Sequence, residues 1–302
     1  MLKAVVDVGV PILVFVAMTV VGTELTSDDF RRVARQPGRV VAAILGQMLL
    51  LPVTGWLLVR YVDLQPEIRW GVLLVTACPS GGMANVYAYL GRGNVALSVT
   101  LTAMSCLAAL IATPLALSFV QASFEEMTSA PVPLGVLTGQ LVILLALPVF
   151  LGMGIRFRWP DFTRRHGRGM LAISVAALVG LLGLIIAQEA EQFAIWFTDI
   201  AVAVGLLTPV TFAAGWGTGW VSGAPTAERF TVGMVFVVRN VGIATAIAVT
   251  VLGRVEFAVF ATAYFLAQVP VLLAVALVFR SIGSTSRSRS EFAARELFPC
   301  SD

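Results

Sequence analysis

Charge is what this chain most lacks: only 12% of its 302 residues are Asp, Glu, Lys or Arg, against 58% hydrophobic residues, and its mean hydropathy is +0.92. A soluble domain of this length carries about twice that charged fraction, so a water-soluble fold is excluded. Histidine is nearly missing too, with His166 alone, set in a basic loop where solvation is its ordinary role. The three cysteines, Cys78, Cys106 and Cys300, form no CxxC pair and no metal spacing. The first two lie inside apolar segments and read as small hydrophobes. No acid/base pair, nucleophile with its base, or metal cluster falls within the apolar segments, which argues against an enzyme. No basic stretch and small-residue cleavage site frame the first apolar run, so a retained span is expected there. The net charge of +3 is spread along the apolar chain and points to no nucleic acid.

What the chain has instead is a succession of apolar runs, each long enough at about 1.5 Å per residue to cross a hydrocarbon core of about 30 Å. Nine spans are expected, near 4–23, 39–60, 70–90, 95–121, 132–155, 169–188, 195–221, 230–252 and 256–280. Helices must carry them, because an open sheet would leave backbone groups unpaired in lipid. The fold class is therefore an all-α polytopic membrane protein. Counting Lys and Arg on alternating loops gives fifteen on one side and four on the other, with Arg239 inside a span. The excess marks the cytoplasmic side, which puts the N-terminus outside and the C-terminus inside. Residues 282–302 turn abruptly to Ser, Arg and Glu, and a disordered cytoplasmic tail is expected there.

Two spans are interrupted. In the third, Pro79 removes a backbone donor, and Gly81 and Gly82 after Ser80 let the chain leave helical angles. In the eighth, Arg239-Asn240 sits mid-span. A break in lipid is tolerable where the freed backbone groups line a polar cavity or bind a ligand. The half-helix that follows then offers its N-terminal amides to an anion. Gly91-Arg92-Gly93-Asn94 is a tight turn whose Asn94 is placed to cap the next helix. On that helix Ser98 and Thr102 share a face, within reach of Asn85 across the hairpin. Three neutral oxygens in one pocket could ligate a small hard cation; the same trio equally suits ordinary interhelical hydrogen bonds.

The run from Cys78 to Thr100, CPSGGMANVYAYLGRGNVALSVT, resembles the signature of the bile acid/sodium symporter family. Further matches are Leu25-Thr26-Ser27-Asp28-Asp29-Phe30, Gln47 five residues before Pro52, Leu147-Pro148 followed by Gly152 and Arg156, and Arg239-Asn240. The resemblance implies two inverted repeats forming a panel and a core, with the broken helices crossing in the core. It implies the nine-helix form, with a truncated first repeat at 1–122, a second at 131–281, and one transporter domain over 1–281. Residues 282–302 would follow as the tail. A bacterial inner membrane is the expected location.

The resemblance also implies sodium ligands: a Ser-Asn pair at the first break, a Ser and a Thr one hairpin later, a Gln before a Pro, and a Glu and a Gln at the second break. This chain keeps Gln47, Asn85, Ser98, Thr102 and Asn240, but has Ala84 for the Ser, Val235 for the Glu and Arg239 for the Gln. The crossing becomes about two charges more positive. At 4 Å and an effective dielectric near 20, like unit charges repel by about 4 kcal/mol, so sodium is disfavoured. The expected function is transport of a small organic anion, a carboxylate or sulfonate, by alternating access without sodium, Arg239 standing in for the bound cation. The expected substrate site is Ser80, Gly81, Gly82, Met83, Ala84, Arg239 and Asn240; residual sodium positions are Gln47, Asn85, Ser98 and Thr102. No cofactor other than Na+ comes into question, and no protein partner is implied. The alternatives are a sodium-coupled symporter with altered sites, a non-transporting membrane sensor, and a metalloid permease using Cys78. Arg239 could instead bond freed carbonyls at the break, or pair with Asp7 or Asp199.

Overall fold

The apolar runs fold as helices whose outward stripes stay apolar. Leu45, Leu49 and Val53, Ile111, Leu115 and Phe119, and Val202, Leu206 and Val210 recur every three to five residues and are exposed. That is the surface a helix bundle shows to lipid rather than to water. The computed structural model describes residues 2–26, 31, 37–124 and 133–297. In chain order the helices are α1 (Leu2–Glu24), α2 (Pro37–Tyr61), α3 (Pro66–Ala77), α4 (Met83–Leu90), α5 (Val95–Ser123), α6 (Leu134–Arg158), α7 (Pro160–Gln188), α8 (Ala190–Ile195), α9 (Phe197–Val221), α10 (Thr226–Val237), α11 (Val241–Val251) and α12 (Phe257–Leu297).

Each of the nine expected spans coincides, among the described residues, with one helix or one broken pair. Among the described residues five helices are continuous, long and apolar enough to cross a membrane: α2, α5, α6, α9 and the first 26 residues of α12. A sixth is α7, if its two halves, bent by 53°, count as one span. The third and eighth spans are the pairs α3/α4 and α10/α11, each interrupted where the sequence placed the break. A π turn at Val142–Ala146 in α6 immediately precedes Leu147 and Pro148, the proline being unable to donate to the carbonyl four residues back.

Packing sorts the helices into two groups. In one, α1 lies along α6 and α7. Its closest approach is glycine against backbone: a Cβ at Gly22 or Gly152 would collide with the main chain of the facing helix. Small residues are what permit such contact where lipid supplies no hydrophobic drive. The other group holds α2 to α5 and α9 to α12, with α9 against α2 and α10, and α12 against α3 and α11. The groups meet where α1 touches α11, α6 touches α5, and α7 touches α12.

Loops meet one another at each end of the bundle. At one end Arg39 donates to Glu228 at 3.2 Å and to the Gly223 carbonyl at 3.2 Å, while Asn94 Nδ2 donates to the same carboxylate at 3.2 Å. At the other end Gln65 N donates to Asp199 at 2.9 Å, and Arg69 pairs with Asp63 at 2.9 Å. Helix α12 continues through Leu297, because residues 282–297 hold no proline and end in the helix-forming run Glu291-Phe292-Ala293-Ala294-Arg295-Glu296-Leu297. Residues 298–302 lie outside the described residues.

Candidate substrate and ion site at the helix crossing

The two breaks meet each other. Asn240 N donates to the Pro79 carbonyl at 2.8 Å and Gly81 N to the Val238 carbonyl at 2.9 Å, so Ser80 and Arg239 face each other as an isolated antiparallel bridge. Ser80 Oγ adds a bond to the Val238 carbonyl at 3.1 Å. Gly81 is required by this approach, since a Cβ there would lie 2.8 Å from the Arg239 carbonyl oxygen. Neighbouring helices satisfy other groups that the breaks set free. Ser105 of α5 accepts from Ser80 N at 3.1 Å, Thr113 of α5 donates to the Ala77 carbonyl at 2.7 Å, and Tyr264 of α12 donates to the Val237 carbonyl at 2.7 Å. Sequence reasoning missed all three. Their partners are far along the chain, and an isolated Ser, Thr or Tyr in an apolar run has no local signature.

Asparagines cap two of the helices, the first as expected. Asn94 caps α5 by accepting from Leu97 N at 3.0 Å, and Asn240 caps α11 by accepting from Ile243 N at 3.2 Å. At the start of α4 the amides of Ala84 and Asn85 donate to the carbonyls of Gly81 and Gly82. The amides of Gly82 and Met83 have no acceptor among the described residues. They adjoin a cavity of about 80 Å³ lined by Met18, Val21, Gly82, Met83, Asn240 and Phe265. That volume holds two or three waters at about 30 Å³ each. A roomier cavity of about 840 Å³ lies between α9 and α12, but it is walled by apolar side chains such as Phe197, Val204 and Leu266 and holds no charged group.

Arg239 is buried, with 4% of its surface exposed. Its guanidinium turns toward α2: Nη1 donates to Gln47 Oε1 at 3.2 Å and Nη2 to the Cys78 carbonyl. Arg239 thus lies beside Gln47 and binds a carbonyl released at the break. Asp199 is engaged by Gln65 N instead, and the side chain of Asp7 lies outside the described ones. Val235 and Ala84 are fully buried. The donor set around Gln47 does not suit a sodium ion: its oxygen already accepts from a fixed cation that would repel the ion.

The hairpin trio is joined only in part. Ser98 Oγ donates to Asn85 Oδ1 at 2.8 Å, as the spacing suggested. Thr102 does not join them; its hydroxyl is buried without a hydrogen-bond partner. Asn85 reaches in the other direction as well, its Nδ2 donating to Glu24 Oε2 on α1 at 3.2 Å. Glu24 was not singled out from sequence, where it is one acidic residue at the end of an apolar run. Among the described residues no three His, Cys, Asp or Glu side chains gather as a metal group.

Two broken helices crossing at a buried cation, inside a bundle with an apolar outer surface, define a polytopic membrane transporter. Residues 11–196 match the Sodium Bile acid symporter family, and the chain belongs to that family. It is 32% identical over 211 residues to the "probable sodium/metabolite cotransporter BASS2, chloroplastic" of Oryza sativa subsp. japonica, covering 68% of this chain and 47% of that one. It is 28% identical over 183 residues to the "uncharacterized sodium-dependent transporter YocS" of Bacillus subtilis (strain 168), covering 61% and 56%. A third relative, the mouse "sodium-dependent organic anion transporter", is 28% identical over 195 residues, covering 64% and 50%. The chain spans about half the length of these relatives.

Proposed function

We propose that this chain is a secondary carrier of organic anions, carboxylates or sulfonates, that works by alternating access without sodium. The observation that supports it most is the bond from Arg239 Nη1 to Gln47 Oε1 at 3.2 Å. A permanent cation there makes the anion-loaded carrier nearly neutral and the empty one positive. Moving a monoanion inward against 100 mV costs about 2.3 kcal/mol, and a fixed positive charge shifts that cost to the return of the empty carrier, so it is avoided when the carrier returns loaded, as in anion exchange. The anion docks at the amides of Gly82 and Met83, near Ser80, Gly81, Ala84 and Asn240. It feels Arg239 through the crossing rather than by direct contact, since the guanidinium is directed to Gln47 and Cys78.

In this proposal α1, α6 and α7 form the panel and the remaining helices the core. The segments 1–122 and 131–281 are the truncated and complete inverted repeats. The protein sits in a bacterial inner membrane, with the Arg39–Glu228 end in the cytoplasm. Steroid-like acids, pantoate-like acids and small keto acids all fit the charge. A second reading, sodium-coupled transport with altered sites, is favoured by the printed names of the relatives. Uptake into proteoliposomes with sodium replaced by choline separates the two. Equal rates are expected, and a loss of more than tenfold would establish sodium coupling instead.

A further inference from the structure

Helices α9 and α12 leave a long groove between them. One part of it is the apolar cavity of about 840 Å³, whose walls include Phe197, Gly205, Leu266 and Val275. Phe212 belongs to that wall and also to the wall of a second cavity, of about 520 Å³, lined by Trp216, Gly217, Trp220 and Arg229. The two are therefore continuous. From Phe197 to Phe212 the wall runs about 22 Å along α9, at about 1.5 Å per residue. Half of a hydrocarbon core is about 15 Å, so the groove is long enough for an acyl chain of one leaflet. Polar chemistry is confined to the Arg229 end. There Nε of Arg229 donates to the Ala224 carbonyl at 2.7 Å, while its two η nitrogens have no acceptor among the described residues. The adjacent carboxylate, Glu228, is taken by Arg39 and Asn94. On α12, Phe279 meets Trp216 edge-on at 6.2 Å, and the next residue, Arg280, is exposed. Neither arginine has an ion-pair partner among the described residues. Trp220 is exposed beside them, and an indole with one apolar and one polar edge settles at the level of lipid headgroups.

We propose that this groove is a binding site for an anionic phospholipid, with the phosphate at Arg229 and Arg280 and one acyl chain laid along α9 toward Phe197. The site is separate from the helix crossing and does not depend on the carrier reading. A purely apolar occupant would leave the η nitrogens of Arg229 without an acceptor, and a free anion would leave the groove unfilled. A molecule with an anionic head and a hydrocarbon tail satisfies both ends at once. Guanidinium groups match the oxygens of a phosphate in a fork geometry that an ammonium does not offer. Two arginines at an anionic surface together favour an anionic lipid over a zwitterionic one by roughly 30-fold. The groove can also be closed without cutting any bond. A Cβ at Gly205 or at Gly217 would meet nothing within 4 Å, so a leucine at either position projects into the space the lipid needs.

The test uses the full chain, stripped of lipid in a neutral detergent and titrated with phosphatidylglycerol or phosphatidylcholine of identical acyl chains. Native mass spectrometry counts the lipids retained, and thermal unfolding reads the stabilisation they give. Phosphatidylglycerol is expected to bind about tenfold or more tightly than phosphatidylcholine, with inorganic phosphate giving no stabilisation of its own. Arg229→Gln should reduce that preference to about threefold or less, and Arg229→Lys should restore most of it. Gly205→Leu and Gly217→Leu should each weaken the binding of phosphatidylglycerol about tenfold, with the melting temperature of the lipid-free protein maintained or raised, since leucine is a better helix former than glycine. Equal binding of the two lipids by the parent protein overturns the proposal. So does a preference that survives Arg229→Gln, which would place the anionic lipid elsewhere on the surface, or binding that ignores both leucines. Stabilisation by phosphate equal to that by the lipid would make the site one for a free anion and also overturn it. A dimer that forms without lipid and is dispersed by Gly205→Leu would overturn it in favour of a second copy of the chain.

Discussion

Gln47→Glu asks whether the charge on Arg239, rather than its packing, makes the crossing receptive to anions. The substitution keeps the shape of the side chain and puts a carboxylate where an amide oxygen now accepts from Nη1 at 3.2 Å. At an effective dielectric near 20 the new pair attracts by about 5 kcal/mol. Burying the carboxylate costs several kcal/mol, so net stability should move by less than about 2 kcal/mol. The anion site responds differently. For an anion about 8 Å from the guanidinium, cancelling that charge removes about 2 kcal/mol, or roughly 30-fold in affinity. Gln47→Leu is the counterpart: it strips a hydrogen-bond partner from a buried cation and costs about 1–3 kcal/mol of stability, yet leaves the charge in place. Thermal unfolding of both variants, with titrations of the anion that best stabilises the parent protein, reads the two effects apart. The electrostatic reasoning is refuted if Gln47→Glu binds that anion as tightly as the parent, or if Gln47→Leu loses it.

Arg239→Gln combined with Val235→Glu restores an amide and a carboxylate at the crossing, and uptake in proteoliposomes should become stimulated by sodium; no stimulation would mean that other positions decide. Gly81→Ala places a methyl 2.8 Å from the Arg239 carbonyl, which belongs to backbone and cannot step aside. Unfolding in detergent should show a loss of about 1–3 kcal/mol, and an unchanged midpoint would contradict the close approach of the two breaks. Glu189, in the loop between α7 and α8, has its carboxyl raised above the ordinary value by partial burial and then by the nearby Glu256. A group raised in this way contributes its stability below the ordinary carboxylate range and loses it as pH rises through the folded value. Glu189→Gln should therefore lessen the fall in melting temperature on going from mildly acid to neutral pH, and leave the acid value unaltered.

Much of the architecture could be read from the chain alone, because the signals that carry it are local. Apolar runs of sufficient length, Pro79 with Gly81 and Gly82, and the capping residue Asn94 each act within a few residues, and the helices begin and break where they indicate.

What the sequence by itself determined is a membrane bundle with two interruptions and a basic residue at one of them. Only the tertiary structure decided where that guanidinium points, since Gln47 lies 192 positions away along the chain. It alone joined Glu24 to Asn85 and left Thr102 without a partner. The physical reason is one of range. Helix formation and helix breaking depend on backbone groups a turn apart, whereas the direction of a buried polar side chain depends on which helix the packing brings beside it.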